Sequence, residues 1–122
     1  MAKIVLVADH DPGMRKMLCQ LFEREADYDL CEQAKTGREA IELAKTCRPD
    51  LVILDFSMPG MSGVEAAMQI KRIQPAVPII LFTIHDGALL GNMPGIHLCV
   101  DRIVEKAEMM KLLDHVRELA PV

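Results

Sequence analysis

Pro49-Asp50-Leu51-Val52-Ile53-Leu54-Asp55-Phe56-Ser57-Met58-Pro59-Gly60-Met61-Ser62-Gly63 is the stretch around which the chain is organised. Leu51 to Leu54 are consecutive aliphatic residues, the pattern of a strand covered on both faces. Asp55 follows at once, and Pro59, Gly60 and Gly63 then turn the backbone sharply. A carboxylate is costly inside such a strand. Asp55 is therefore expected at its tip, in the crevice outside the strand ends where open α/β sheets bind ligands.

Working outward, Ile4 to Ala8 form a second apolar strand that also runs into acid, Asp9-His10-Asp11. Asp11 suits a helix N-cap and Pro12 the first helical position. Met14, Met17, Leu18, Leu21 and Phe22 then follow helical spacing on one stripe, through about Glu25. Tyr28 to Ala34 predicts a short edge strand. Thr36-Gly37-Arg38-Glu39 and Ser62-Gly63-Val64-Glu65 are two capping boxes. The helices they open bury Ala40, Leu43, Ala44 and Cys47 in one case, and Ala66, Ile70 and Ile73 in the other. They stop before Pro49 and Pro75.

Val77 to Phe82 reads as a fourth strand ending at Thr83. Gly87, Gly91, Pro94 and Gly95 leave room only for a short helix around Ala88 to Met93. Leu98 to Val104, interrupted by Asp101 and Arg102, predicts a second edge strand, followed by Glu105-Lys106. A last helix places Met109, Leu112, Leu113, Val116 and Ala120 inward and Lys111, Asp114, His115, Arg117 and Glu118 outward. Five strands alternating with five helices predict an α/β fold, a doubly wound parallel sheet with right-handed crossovers.

The 122 residues suit a single domain, 1–122, with a real core. With 51% hydrophobic residues, nine Met and no Trp, that core is aliphatic and methionine-rich. Fourteen basic against eighteen acidic residues, net −4, argue against direct nucleic-acid contact. The longest apolar run, Val77 to Ile84, is too short to span a membrane. No cleavage-site pattern follows Met1-Ala2-Lys3, so a cytoplasmic protein is expected. Cys19, Cys31, Cys47 and Cys99 lack a C-x-x-C pair, and four reduced thiols are the expectation.

In a doubly wound sheet the strand C-termini share one edge. Asp9 (with His10 and Asp11), Asp55, Thr83 and Lys106 all fall there. Clustered carboxylates repel unless a cation compensates. A hard ion such as Mg2+ meets that need, typically through one or two carboxylates plus phosphate and water. Lysine adds a fixed positive charge and threonine a hydrogen bond. The set suits a phosphoryl group on a carboxylate.

These residues resemble a response-regulator receiver domain along the whole chain. The matching pieces are Val7-Ala8-Asp9, Leu54 to Gly63, Leu81-Phe82-Thr83 and Val104-Glu105-Lys106. The resemblance implies the flavodoxin-like receiver fold, strand order 2-1-3-4-5, and no external substrate beyond self-catalysed phosphotransfer and autodephosphorylation. It makes Asp55 the acceptor of a phosphoryl group from a sensor histidine kinase, Thr83 the switch hydroxyl and Lys106 the phosphate partner. Asp9, Asp55 and the backbone carbonyl of Ser57 become the Mg2+ ligands, with Asp11 or His10 as candidates for a further one. Thr83-Ile84-His85-Asp86, and Lys106 followed by Ala107, resemble receivers of helix-turn-helix transcription regulators. A DNA-binding domain outside this chain, and a homodimer through the face of the fourth helix, fifth strand and last helix, are the partners this implies.

Three positions depart from the family pattern. His10 stands in place of a second acid, and imidazole is a poor Mg2+ ligand. Either metal affinity falls, or Asp11 substitutes while giving up its cap. Ile103 occupies the aromatic switch position, so a ring flip is not the signal. Ile84 replaces a small residue and is expected to crowd phosphate access. His85, two after Thr83, either steers water near the phosphate or faces solvent. The competing functions are an interaction module that no longer accepts phosphate, and a flavin- or nucleotide-binding domain. The latter lacks any glycine-rich phosphate loop.

Overall fold

The computed structural model describes residues 3–25 and 28–119. The strands are β1 (Ile4–Ala8), β2 (Leu30–Ala34), β3 (Leu51–Leu54), β4 (Ile79–Thr83) and β5 (Arg102–Glu105). They form one parallel sheet in the order β2-β1-β3-β4-β5. The helices are α1 (Pro12–Glu25), α2 (Gly37–Cys47), α3 (Gly63–Ile73), α4 (Gly87–Gly91) and α5 (Leu112–Leu119), with 3-10 turns at Ile96–Leu98 and Lys106–Lys111.

The central strands carry unbroken apolar runs because helices cover both of their faces. Alternate residues divide between two cores. Leu6, Ala8, Val52, Leu54, Ile79 and Leu81 face α2 and α3, meeting Ala40, Ala44, Ala66 and Ile70. Val5, Val7, Leu51, Ile53, Ile80 and Phe82 face α1 and α5, meeting Leu18, Phe22, Leu112 and Val116. At the edges, β2 exposes Leu30 and Gln33, and β5 begins with Arg102.

Both predicted caps form. Thr36 Oγ1 accepts the Glu39 N–H at 3.2 Å, and Ser62 Oγ accepts the Glu65 N–H at 3.2 Å. Glu39 reaches back one residue beyond the cap, to the Lys35 N–H at 3.1 Å. Arg48 closes α2 in the left-handed region (φ 46°), donating to Ala44 O just before Pro49.

The structure corrects several boundaries. Tyr28 precedes β2 and packs edge-on against Phe22, with ring centroids 5.5 Å apart. Leu98 to Val100, expected to open the fifth strand, lie before it. Gly95 (φ 79°) turns the chain into a 3-10 turn that buries Ile96, Cys99 and Val100 and exposes Leu98. A short apolar run does not by itself distinguish strand from turn. Here Asp101 sets the start of β5, its carboxylate accepting both the Ile79 N–H (2.8 Å) and Lys71 Nζ (2.9 Å). The fourth helix is only five residues long and ends at Gly91. Met109 lies on a 3-10 turn before α5, and Ala120 falls outside the described residues. Met17 is exposed, not part of the α1 stripe.

One expectation about the cysteines is overturned. Cys19 on α1 and Cys31 on β2 are joined as a disulfide, with Cα atoms 5.3 Å apart, while Cys47 and Cys99 remain thiols.

Candidate functional site

Three polar or charged residues are buried among the described residues: Asp9, Asp55 and Thr83. All three stand at the C-terminal ends of adjacent central strands. Backbone bonds carry the ladder one residue past each strand to hold the acids, from Asp9 N to Ala34 O (3.0 Å) and from Asp55 N to Ala8 O (2.9 Å). Beyond Asp55, Gly63 N donates to Phe56 O at 2.8 Å and folds the loop back under α3. At Gly63 only a hydrogen fits. A Cβ there would overlap the carbonyl oxygen of Asp55 and lie 2.9 Å from its carbonyl carbon and from Leu81 Cδ1.

Lys106, the first residue after β5, lays its side chain over the Phe82 ring, 6.0 Å from the centroid. Its ammonium then meets both acids, 2.7 Å from Asp9 Oδ2 and 3.5 Å from Asp55 Oδ2. A single cation thus answers two buried carboxylates. The imbalance registers at Asp55, whose pKa is raised by burial and next by the charge of Asp9. Lys106 and the Ser57 backbone N–H pull it partly back.

Thr83 is fully buried, and its Oγ1 accepts the His85 N–H at 3.0 Å, leaving the hydroxyl proton to donate elsewhere. Among the described residues no hydrogen bond joins it to Asp55. Ile84, the residue after Thr83, is 76% exposed. His85 is exposed and reaches the loop after Asp55: Nε2 lies 2.9 Å from Ser57 Oγ, and the ring packs edge-on against Phe56, with centroids 5.3 Å apart.

Of the two candidates for a further metal ligand, neither joins the acid pair. The strand ends at Ala8, so alternation does not extend to Asp11. Its Oδ1 caps α1 at Gly13 N (2.9 Å), while its own N–H donates to Asp9 Oδ1 (2.9 Å). His10 is exposed. No group of three or more His, Cys, Asp or Glu side chains that could hold a metal ion occurs among the described residues. Two carboxylates with an unmet demand for positive charge nevertheless suit Mg2+, which keeps several waters and takes one or two protein carboxylates plus phosphate.

Two features escaped the sequence reasoning. Arg15 Nη1 donates to the carbonyls of Asp9 (2.6 Å) and His10 (3.2 Å), bracing the loop that carries the first acid. A signal existed: Arg15 stands one turn into α1, where side chains lean toward the helix N-terminus. The second is the Ser57 hydroxyl, since only the backbone carbonyl of that residue had a role in the resemblance.

Comparison with known proteins agrees with the fold. The family model for the response regulator receiver domain matches residues 5–116. A protein-glutamate methylesterase/protein-glutamine glutaminase of Hahella chejuensis is 37% identical over 79 residues, covering 65% of this chain and 20% of that protein. The chemotaxis protein CheY of Thermotoga maritima is 40% identical over 81 residues, covering 66% of this chain and 67% of that one. The response regulator TrrA of Thermotoga maritima, solved in complex with Mg2+ and BeF, superposes with TM-score 0.83 and 30% identity, covering 96% of this chain and 98% of that chain. The chain spans about a fifth of the length of the methylesterases it matches. Strand order, the buried acid pair, the lysine between them and the family match agree: this chain belongs to the response regulator receiver domain family.

Proposed function

We propose that this receiver domain accepts a phosphoryl group on Asp55 from a phosphohistidine of a sensor kinase and thereby switches an interaction face. The observation that carries the reading is the Lys106 ammonium, held between Asp9 and Asp55 from 97 residues along the chain from Asp9. Such a placement gains nothing from surface exposure and matches the charge a phosphoryl group brings.

In the transfer, an Asp55 carboxylate oxygen attacks phosphorus as the phosphorus–nitrogen bond to the donor imidazole breaks, and the electron pair leaves with that nitrogen. Lys106 offers its N–H donors to the incoming phosphoryl oxygens, partly exchanging its bond to Asp9 for them. Thr83 has a free hydroxyl proton to donate to another oxygen. Asp9, Asp55 and the Ser57 carbonyl would hold Mg2+, which supplies charge neutralisation for the transferring group. Arg15 keeps the Asp9 loop from moving as this charge is redistributed. His85 and Ser57, bonded to each other over the entrance, restrict water and so slow loss of the phosphoryl group.

Phosphorylation replaces the single charge of the Asp55 carboxylate by the roughly two charges of an acyl phosphate, a net gain of about one. The elements able to respond are α4 with the loop before it, β5 and α5 with the turn before it, where Ile84, Leu89 and Met110 are exposed apolar residues. Gly87 N donates to Glu105 Oε2 at 3.2 Å and ties α4 to the last residue of β5, next to Lys106. A homodimer, or a DNA-binding domain on the same polypeptide, is the partner proposed for that face. The chain acts on no external substrate in this reading, and cytoplasmic placement follows from the kinase it serves. No described helix is long and apolar enough to cross a membrane.

A second reading has one observation in its favour. With His10 exposed and Asp11 engaged as a cap, the acid pair has no third carboxylate, as in an interaction module that no longer accepts phosphate. Intact mass after treatment with acetyl phosphate and Mg2+ separates the two. A gain of one phosphoryl group, absent in Asp55→Asn, supports the first; an unchanged mass supports the second.

A further inference from the structure

We propose that Cys19 and Cys31 form a dithiol–disulfide site that opens and closes with the redox state, fastening α1 to the edge strand β2. The four cysteines divide cleanly. Cys47 Sγ donates to Leu43 O at 2.9 Å, and Cys99 Sγ to Ile96 O at 3.4 Å, so each is occupied by a carbonyl of its own segment. Cys19 and Cys31 instead face each other across the α1–β2 junction, with Cα atoms 5.3 Å apart, a separation that a disulfide spans without moving the backbone.

That junction is a fixed corner. Phe22 is fully buried beside Tyr28, and the Tyr28 ring lies under Lys3 Nζ, 4.7 Å from the centroid. Lys3 O accepts the N–H groups of Asp29 (2.9 Å) and Leu30 (3.1 Å) where β2 begins. The two sulfurs are therefore brought together by packing that does not depend on the bond. Access differs between them. Cys19 is 5% exposed, whereas Cys31 is half-buried on the outermost strand.

The site is separate from the acids. Cys31 pairs in register with Val5, three residues back from Ala8, about 10 Å from the edge that carries Asp9. It is linked to them through one helix: Cys19 lies four residues after Arg15, on the same face of α1.

Hydrogen peroxide is an oxidant that balances the step. The Cys31 thiolate attacks one peroxide oxygen and the O–O bond breaks, giving a sulfenic acid and hydroxide, which takes up the proton Cys31 released. The Cys19 sulfur then attacks the Cys31 sulfur, the S–O bond breaks, and the hydroxyl leaves as water with the Cys19 proton. Two thiols and one peroxide become one disulfide and two waters. A dithiol reductant returns both thiols by exchange.

The test uses the full chain. After reduction and removal of reductant, one equivalent of hydrogen peroxide is added and free thiols are counted in denaturant. The count is expected to fall from four to two, and native dithiothreitol to restore it. Trypsin, cutting after Lys16, Arg24 and Lys35, leaves the two cysteines on separate peptides, 17–24 and 25–35. These are expected to be linked only before reduction. Cys31→Ser, at a half-buried position, is expected to lose no further thiol to a disulfide. Four surviving thiols, links to Cys47 or Cys99, oxygen retained on Cys31 with Cys19 intact, or a bond that native reductant leaves closed would each overturn the proposal.

Discussion

Replacing Gly63 by alanine places a methyl group against the backbone of the acceptor residue itself. The added Cβ overlaps Asp55 O and comes to 2.9 Å from the Asp55 carbonyl carbon and from Leu81 Cδ1. Overpacking typically costs 1–3 kcal/mol when side chains can yield. Here the obstacle is the end of a central strand, so a loss of about 3 kcal/mol is expected. For a chain of 122 residues, between the size classes for which the scaling is known, that is a fall in Tm of about 12 °C. Gly60→Ala is the control. Nothing lies within 4 Å of a Cβ there, but φ is +79°, so the cost is the left-handed backbone alone, about 1–2 kcal/mol. Urea unfolding followed by circular dichroism compares the three proteins. Gly63→Ala as stable as the parent, or no less stable than Gly60→Ala, refutes the claim that α3 is seated directly on Asp55.

Tyr28, the only tyrosine, has a buried hydroxyl with no hydrogen-bond partner among the described residues, and burial, reinforced by Asp50, raises its pKa to about 12. The folded state favours the neutral phenol, so stability is full below pH 10 and falls by about 3 kcal/mol as pH rises toward 12. Tyrosinate absorbance locates the transition, and Tyr28→Phe is expected to remove this alkaline loss while unfolding at equal or higher urea at neutral pH. At Asp55 the raised pKa means that the folded state prefers the proton, so ionisation there costs stability as pH climbs above the ordinary carboxylate range. In metal-free buffer Asp55→Asn is expected to be more stable than the parent at neutral pH, with the gain shrinking on acidification; urea midpoints across pH check this. His10→Asp adds a carboxylate beside Asp9, and calorimetric titration is expected to show about tenfold tighter Mg2+ binding. An unchanged dissociation constant would remove position 10 from any account of the metal site.

The central sheet was legible because its residues answer to local constraints. Leu51 to Leu54 and Ile79 to Phe82 are buried on both faces and therefore continuously apolar. Thr36 and Ser62 announce helix starts through hydrogen bonds within a single turn. Asp9, Asp55, Thr83 and Lys106 were found as strand-end residues, but how they are shared was not. That one ammonium meets both acids depends on the path of the Lys106 side chain over Phe82.

What could not be read rests on distant partners. Strand β5 starts late because Asp101 is claimed by Ile79 and Lys71, residues of other elements. Asp11 stays out of the acid pair because the strand ends at Ala8 and the carboxylate caps α1. Cys19 and Cys31 meet only once register sets Cys31 beside Val5 and α1 is packed on that face. The Ser57–His85 bond joins two loops separated by 28 residues, and nothing in either loop alone signals the other.

The central claim is that Asp55 is the carboxylate on which the phosphoryl group comes to rest. Borohydride reduction of the protein after treatment with acetyl phosphate and Mg2+ converts an aspartyl phosphate to homoserine, and peptide mass spectrometry locates it. The expected result is homoserine at position 55, lost when Lys106 is replaced by alanine in a chain that remains folded by circular dichroism. Homoserine at position 9 or elsewhere, or trapping undiminished without the ammonium, contradicts the account.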